Sequence, residues 1–319
     1  MPPRSRSRSK STGRSATTTT KVKVVADDKP SQTKLGVIGV ISNSIGLSIL
    51  YSLGNALDIL KFAKIALGVQ WFVWLIHGLP YNSDKFYDIS GSMTHFALVM
   101  SSLVLNVDKL HPRGLILSVC CVMWFTRLGG FLFARILRDG KDNRMDLYKQ
   151  NPVRFLGVWT IQAVWVFLLN LPILVLNSVN QDAISLGVLD YVGFGFWVVG
   201  FIIEGLADAQ KNAFRSKDAN RDKFITTGLW AYSQHPNYLG EHMLWFGVCL
   251  SGSSVFVGNQ FLCWLSLGFT ALLLWKVSGI PLLEKHAEKK WGKDPAYQHY
   301  TKNTNKFFFG AVAGPYGKK

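Results

Sequence analysis

The segment TTGLWAYSQHPNYLGEHMLW, ending at Trp245, places His235, Pro236, Asn237, Tyr238 and Glu241 directly ahead of an apolar run. Hydrogen-bonding groups at a membrane boundary are costly and are usually kept for function. Pro236 ends or kinks any preceding helix, after which Asn237, Glu241 and Trp245 follow at offsets of four along the next one. An amide that both donates and accepts, beside a carboxylate that accepts, can read a carboxamide or ribose hydroxyls. The same residues also suit a plain helix start, with Asn237 as N-cap and Glu241 easing the dipole in the first turn. Both readings stand at this point.

Two further clusters have chemistry-bearing spacing. In EGLADAQKNAFRSKDANRDKF, Glu204, Asp208 and Arg215 share one helical face at offsets of four and seven, where a span leaves the apolar layer. That face suits a polar ligand carrying both donors and anions, or a solvated helix end that pairs with itself. In CCVMWFTRLGGFLFARILRDGKDNR, Arg127, Phe131, Arg135 and Arg138 recur at helical spacing. Arg135 can snorkel to the interface, whereas Arg127 lies deeper and demands an anionic partner. That partner is either a ligand or a carboxylate on another helix, such as Asp88 or Glu204.

Membrane-spanning helices must position these groups. The chain of 319 residues is 49% hydrophobic, 13% aromatic and only 17% charged, with a positive mean hydropathy, which is too apolar for an ordinary soluble domain. Candidate spans are 35–53, 56–79, 93–107, 115–137, 155–176, 186–206, 239–257 and 261–280, each near the roughly 20 residues that cross a bilayer. The expected fold is an all-α polytopic membrane bundle of seven or eight helices.

The net charge of +16 is concentrated in the leading tail and in segments 138–154, 207–226 and 284–319. Basic segments prefer the cytoplasmic face, and placing all four there requires four, two and two spans between them, which favours eight helices and both termini in the cytoplasm. Basic residues that flank spans do not make a nucleic-acid groove. Residues 1–34 are rich in Ser, Thr, Lys and Arg and cannot bury a core, so they read as a disordered tail ahead of one membrane domain at 35–319. Such a leader also fits an organelle transit peptide, and no small-residue cleavage site follows it.

Several chemistries find no support. Cys120, Cys121, Cys249 and Cys263 lack metal-ligand spacing and read as small buried apolar residues, so no metal site is expected. There is no P-loop and no GxSxG, and Gly193, Gly195 and Gly200 lie within an apolar span, where glycine serves close helix packing.

The run GLWAYSQHPNYLGEHMLWFG resembles the carboxy-terminal signature of the steroid 5α-reductase superfamily. It is closest to an uncharacterised branch of membrane proteins with a steroid-reductase-like carboxy-terminal domain. RLGGFLFARI, GKDNR, EGLADAQKNAFR and LLEKHAEKKWGKDPAYQHYTKNTNKF extend the resemblance over roughly residues 70–309, with the signature itself at about 110–309.

The resemblance implies a steroid-reductase-like bundle enclosing NADPH and reducing an activated carbon–carbon double bond of a lipid or sterol-like substrate, in the endoplasmic reticulum. By it, Asp208, Arg215, Asn237 and Glu241 match cofactor-contacting positions, and Arg127 matches a pocket arginine. Arg127, Arg135, Arg215 and Lys223 would then face the cofactor's phosphates, Asn237 and Glu241 its nicotinamide end, and Trp124 and Phe131 the substrate.

This chain departs from the pattern in two places. Where the reductases carry a carbonyl-polarising Tyr, three residues before the arginine matching Arg127, it has Trp124. The acid that their second helix supplies has its nearest counterpart in Asp88 of DKFYDISGSMTHF, with Tyr87 and His95 close by.

A rival resemblance comes from isoprenylcysteine carboxyl methyltransferases, which use S-adenosylmethionine and carry Arg-His-Pro-x-Tyr-x-Gly followed by paired acids. Here the Arg is Gln234, and the late acids Glu284 and Glu288 are separated. A lipid binder that kept the fold without the chemistry is the third reading.

Overall fold

The structure, a computed structural model, describes residues 31–139, 143–179, 185–277 and 279–312. Most of the expected tail therefore lies outside the described residues, and the first helix begins at Gln32, within the tail's expected limit. From Gln32 onward the chain forms one compact unit.

Ten α-helical elements follow one another among the described residues, joined by loops and short 3-10 turns, with no strand among the described residues. They are α1 (Gln32–Ala56), α2 (Leu60–Tyr81), α3 (Tyr87–Val104), α4 (Pro112–Asp139), α5 (Pro152–Ser178), α6 (Val188–Arg215), α7 (Pro236–Gly252), α8 (Leu265–Leu272), α9 (Ile280–Trp291) and α10 (Pro295–Asn303). Proline occupies the first turn of α4, α5, α7, α9 and α10, where its missing N–H breaks no helical bond. Asn151 caps α5 by accepting from the Val153 and Arg154 amides at 3.0 and 3.2 Å.

Each expected span overlaps a helix, the last of them (261–280) an α-helix mainly over the eight residues of α8, and six helical stretches are long and apolar enough to cross a membrane. Helices α3 and α7 fall outside that number. α7 has only 17 residues, about 25 Å at 1.5 Å per residue. α3 is diluted by Asp88, Ser90, Ser92, Thr94, His95, Ser101 and Ser102. An exposed apolar belt that includes Val37, Ile41, Ile45, Phe72, Leu75, Phe96, Val119 and Ile202 is the surface expected of a lipid-facing bundle.

α5 is the central post. Its apolar window is 89% buried inside the protein, against 18% to 33% for the other five stretches. Its polar side chains tie the neighbours to it at successive levels. Thr160 Oγ donates to Asn43 Oδ1 at 2.6 Å, Gln162 Nε2 to the Tyr87 carbonyl at 2.8 Å, and Asn177 Nδ2 to Ser102 and Ser118 at 2.9 and 3.0 Å. Such bonds hold helices together where apolar burial against lipid gives little preference for one neighbour over another.

A buried ion pair also joins the bundle. Arg113, at the start of α4, forks onto Asp190 of α6 at 2.6 and 2.7 Å, and Asp190 further accepts from Ser251 at 2.6 Å and from the Gly187 amide at 2.9 Å. Both side chains are fully buried, so this charge survives only because its partners are in place.

α6 and α7 pack most closely, through glycine. A Cβ on Gly193 would lie 2.5 Å from the Gly247 carbonyl oxygen, and one on Gly200 would lie 2.6 Å from that of Gly240. The seven-residue spacing of each pair keeps both contacts on one seam, as the packing reading of these glycines expected. Gly195 faces open space and takes no part. Cys121, Cys249 and Cys263 are buried and Cys120 is half-buried, all four as free thiols.

Candidate functional site

The glycine seam brings the carboxylates of α6 beside the amide and carboxylate that open α7. Asn237 Nδ2 donates to Asp208 Oδ1 at 3.2 Å. Asp208 also pairs with Arg127 Nη1 at 3.1 Å, and Arg127 pairs in turn with Glu204. Glu204 accepts from the Trp124 indole at 3.0 Å. A polar chain Trp124–Glu204–Arg127–Asp208–Asn237 therefore links α4, α6 and α7, with the Arg127 guanidinium 5.5 Å over the Phe201 ring. Half-buried Glu241 lies within electrostatic reach of Arg127, Glu204 and Asp208.

Of the two kinds of partner open to Arg127, the structure supplies carboxylates, Glu204 with Asp208 beside it and not Asp88. Asn237 reaches across to another helix, while His235 holds the N-cap position of α7 without a side-chain cap bond. Three carboxylates share one guanidinium here, so the cluster has acceptor capacity to spare for a ligand's N–H and O–H groups.

One turn beyond Asp208 the electrostatics reverse. A cavity of about 770 Å³ is lined by Lys211, Arg215, Arg221, Lys223, Lys289 and Lys290, with Glu284 as the acid among its walls. Phe224, Trp230, Trp291, Tyr297 and Tyr300 supply its aromatic surface. The cavity exists because α9 and α10 fold back onto the loop after α6. Trp291 donates to the Asp222 carbonyl at 2.6 Å, Tyr300 donates to the Trp230 carbonyl at 2.7 Å, and Phe224 packs between Trp291 and Tyr297.

Several groups in and beside the cavity have shifted ionisation. The hydrogen bond and charge of Lys290 hold the exposed Asp222 below the usual carboxylate range. Burial raises the Tyr300 phenol. His235, between the cavity and Asn237, is lowered to about 4, first by burial and then by the charges of Lys211 and Lys306; it is a neutral group at physiological pH.

A second cavity, of about 160 Å³, lies among α3, α4 and α5 on the other side of Trp124. Tyr87, Asp88, Ser92 and His95 reach it from α3, Trp124, Phe125, Leu128 and Leu132 from α4, and Ile161, Gln162 and Trp165 from α5. Trp124 thus touches this chamber with its ring and the charged chain with its N–H. The ring of Trp245 meets it edge-on at 5.1 Å.

The expected site residues divide accordingly. Arg127, Asp208, Asn237 and Glu241 come together, Arg215 and Lys223 line the basic cavity, and Asp88 and Tyr87 line the chamber. Tyr87 donates to the Val158 carbonyl at 3.2 Å, so its hydroxyl proton is engaged. Phe131 is 38% exposed on the surface of α4 and does not line the chamber; each step of four residues turns a helix about 40° past a full turn. The side chain of Arg135 lies outside the described residues.

The motif reading did not pick out His95's ring nitrogen, Gln162, Arg221, Lys289 or Lys290 as site groups. For the last two the signal was the interleaving of basic and aromatic residues in EKKWGKDPAYQHY. Gln234, which stands where methyltransferases have Arg, donates to the Thr301 and Thr304 carbonyls at 3.0 and 2.7 Å and anchors the segment after α10.

No solved structure matches this chain. The "Uncharacterized protein C594.04c" of Schizosaccharomyces pombe is 24% identical over 165 residues, which is 46% of this chain and 46% of that protein. The chain thus spans about half the length of that curated relative. The model of a family described as "Protein of unknown function (DUF1295)" matches residues 73–304, taking in α3 to α10 and with them both cavities and the charged chain between them, and the protein belongs to that family.

Proposed function

We propose that this protein is a membrane oxidoreductase that binds NADPH and reduces a carbon–carbon double bond in a lipid, in the endoplasmic reticulum with both termini cytoplasmic. The observation that carries the reading is the site's polarity. A cavity with six cations adjoins a cluster with surplus carboxylate along one helix, Lys211 and Arg215 following Asp208 on α6. A dinucleotide has the matching polarity, polyanionic at its phosphates and rich in N–H and O–H donors at its carboxamide and ribose.

S-adenosylmethionine carries a sulfonium and an ammonium, which six cations repel. It also lacks a phosphate for them to bind.

NADPH supplies the hydride when bound. Lys211, Arg215, Arg221, Lys223, Lys289 and Lys290 would hold its phosphates, and Trp230, Trp291 and Tyr297 offer faces for its adenine. Asn237, Asp208 and Glu241 would orient the carboxamide end, with Arg127 fixing Asp208. The chamber beyond Trp124 is walled largely by aromatic and aliphatic side chains, which would disfavour water at the reacting end. Asp88 on that wall would hold a proton, since the Tyr87 hydroxyl is engaged elsewhere.

The test is thermal stabilisation of the purified protein in detergent. NADPH should raise Tm at concentrations where S-adenosylmethionine does not. A larger shift with the methyl donor would replace this reading with the methyltransferase one, and a response to neither would favour a lipid binder. Asn237→Ala together with Glu241→Ala should abolish the NADPH shift.

A further inference from the structure

The chamber holds two buried polar atoms that the reading above leaves unused. His95 is only 2% exposed, enclosed by Trp124, Phe125 and Trp165. Asn170 Nδ2 donates to the Val166 carbonyl at 2.7 Å and lies 2.6 Å from His95 Nδ1. A carbonyl oxygen only accepts, so the contact with Val166 fixes which end of the amide is nitrogen, and its second N–H then meets the imidazole. His95 Nδ1 is therefore the acceptor and the neutral ring carries its proton on Nε2. That Nε2–H is buried and finds no hydrogen-bond partner among the described residues.

Gln162 repeats the logic with the opposite sign. Its Nε2 donates to the Tyr87 carbonyl at 2.8 Å, which fixes the amide, and its buried Oε1 has no donor among the described residues. Both residues line the same chamber of about 160 Å³. One donor and one acceptor, the first on a ring held by the Asn170 amide and the second on an amide held by the Tyr87 carbonyl, thus belong to residues that line one chamber. Leaving both unmade costs each group its full desolvation with no bond in return.

We propose that the chamber binds the hydroxyl-bearing end of an apolar molecule, the hydroxyl accepting from His95 Nε2–H and donating to Gln162 Oε1. A carbonyl satisfies only the histidine, and a hydrocarbon satisfies neither. The walls admit a ring of six carbons, since a cavity of about 150 Å³ holds benzene. The inference names a ligand class for the chamber and does not rest on the cofactor, because neither residue belongs to the basic cavity.

The experiment titrates the full-length protein in detergent with cyclohexanol, cyclohexanone and cyclohexane, following quenching of the Trp fluorescence to which Trp124 and Trp165 contribute. Each probe's concentration is corrected for its own partitioning into detergent, which is the same for every variant. Wild type should bind the alcohol about threefold to tenfold tighter than the ketone, and the ketone tighter than the hydrocarbon by a similar factor, the worth of one neutral hydrogen bond each.

His95→Phe should bring ketone and hydrocarbon level, and His95→Gln, which restores a donor, should separate them again. Gln162→Met should bring alcohol and ketone level. Should that variant fail to fold, Gly91→Ala reaches the same amide, because its Cβ would lie 2.4 Å from Gln162 Nε2. Wild-type protein that does not rank the three probes, or a ranking that survives the His95 and Gln162 variants, overturns the proposal and makes His95 a core residue satisfied by indole faces. The NADPH shift, read in the same samples, should persist in every variant. Its absence from wild type with the alcohol preference intact would sink the cofactor reading alone.

Discussion

Gly240→Ala tests whether the seam between α6 and α7 is what assembles the site. The added Cβ would stand 2.5 Å from the Glu204 amide nitrogen, 2.6 Å from the Gly200 carbonyl oxygen and 2.9 Å from Glu204 Cβ. Two of those atoms are backbone and cannot swing aside, so the helices must part by about 1 Å to regain contact near 3.5 Å. Overpacking of this kind costs about 1–3 kcal/mol.

The same displacement carries Asn237 and Glu241 away from Asp208 and Glu204, so it should weaken the NADPH response as well as lower Tm. A misplacement of about 1 Å can cost a hundredfold in rate. Gly195→Ala is the control, on α6 but facing open space. It should be neutral or stabilising by up to about 1 kcal/mol, the helix propensity of Ala over Gly. The assay is thermal unfolding of both variants in one detergent, with and without NADPH. Equal Tm values for the two would refute the seam as a close backbone contact, and a lowered Tm with an undiminished NADPH shift would refute its role in assembling the site.

Three further outcomes follow from the charged groups. Arg127→Met strands Glu204, which is 4% exposed, together with Asp208, and should destabilise by about 3–5 kcal/mol; adding Glu204→Gln should recover part of the lost Tm. Arg113→Leu strands the fully buried Asp190 and should cost a similar about 3–5 kcal/mol, yet leave ligand shifts intact in whatever protein folds, because Asp190 touches neither cavity.

His235 ionises near 4 in the fold against 6.5 when free. Between those values the unfolded chain binds the extra proton, so stability is unaffected above about pH 6.5 and declines as pH falls towards 4. The loss reaches about 3 kcal/mol at 1.36 kcal/mol per unit. His235→Asn should flatten the slope of Tm against pH in that window, and an unchanged slope would assign the acid sensitivity to other groups.

Much of the architecture was legible in the sequence because spans must be apolar, about 20 residues long and flanked by basic segments. The spacing of Asp208 from Glu204, and of Asn237 from Glu241, was legible for the same reason, since helical periodicity alone puts each pair on a face. Gly193 and Gly200 stood out as packing residues, although Gly195 in the same run proved to have no contact.

Other features had no local signal. Arg113 and Asp190 lie 77 residues apart, and His95 and Asn170 lie 75 apart, so only the packed bundle shows that each pair meets. Phe131 was misplaced because helical spacing with Arg127 does not say which of two neighbouring faces turns inward.

By itself the sequence determined that this is an all-α membrane bundle and which residues carry charge at its boundaries, because hydrocarbon permits no other backbone arrangement for such apolar segments than helices or closed barrels. Only the tertiary structure decided that Arg127 is neutralised by Glu204 and Asp208, and that six cations from three separate segments line one outer cavity. It also placed Trp124 between a charged chain and a largely apolar chamber. A charge's partner and a pocket's wall come from helices distant in sequence, and their register is set by glycine contacts and buried hydrogen bonds that no single segment encodes.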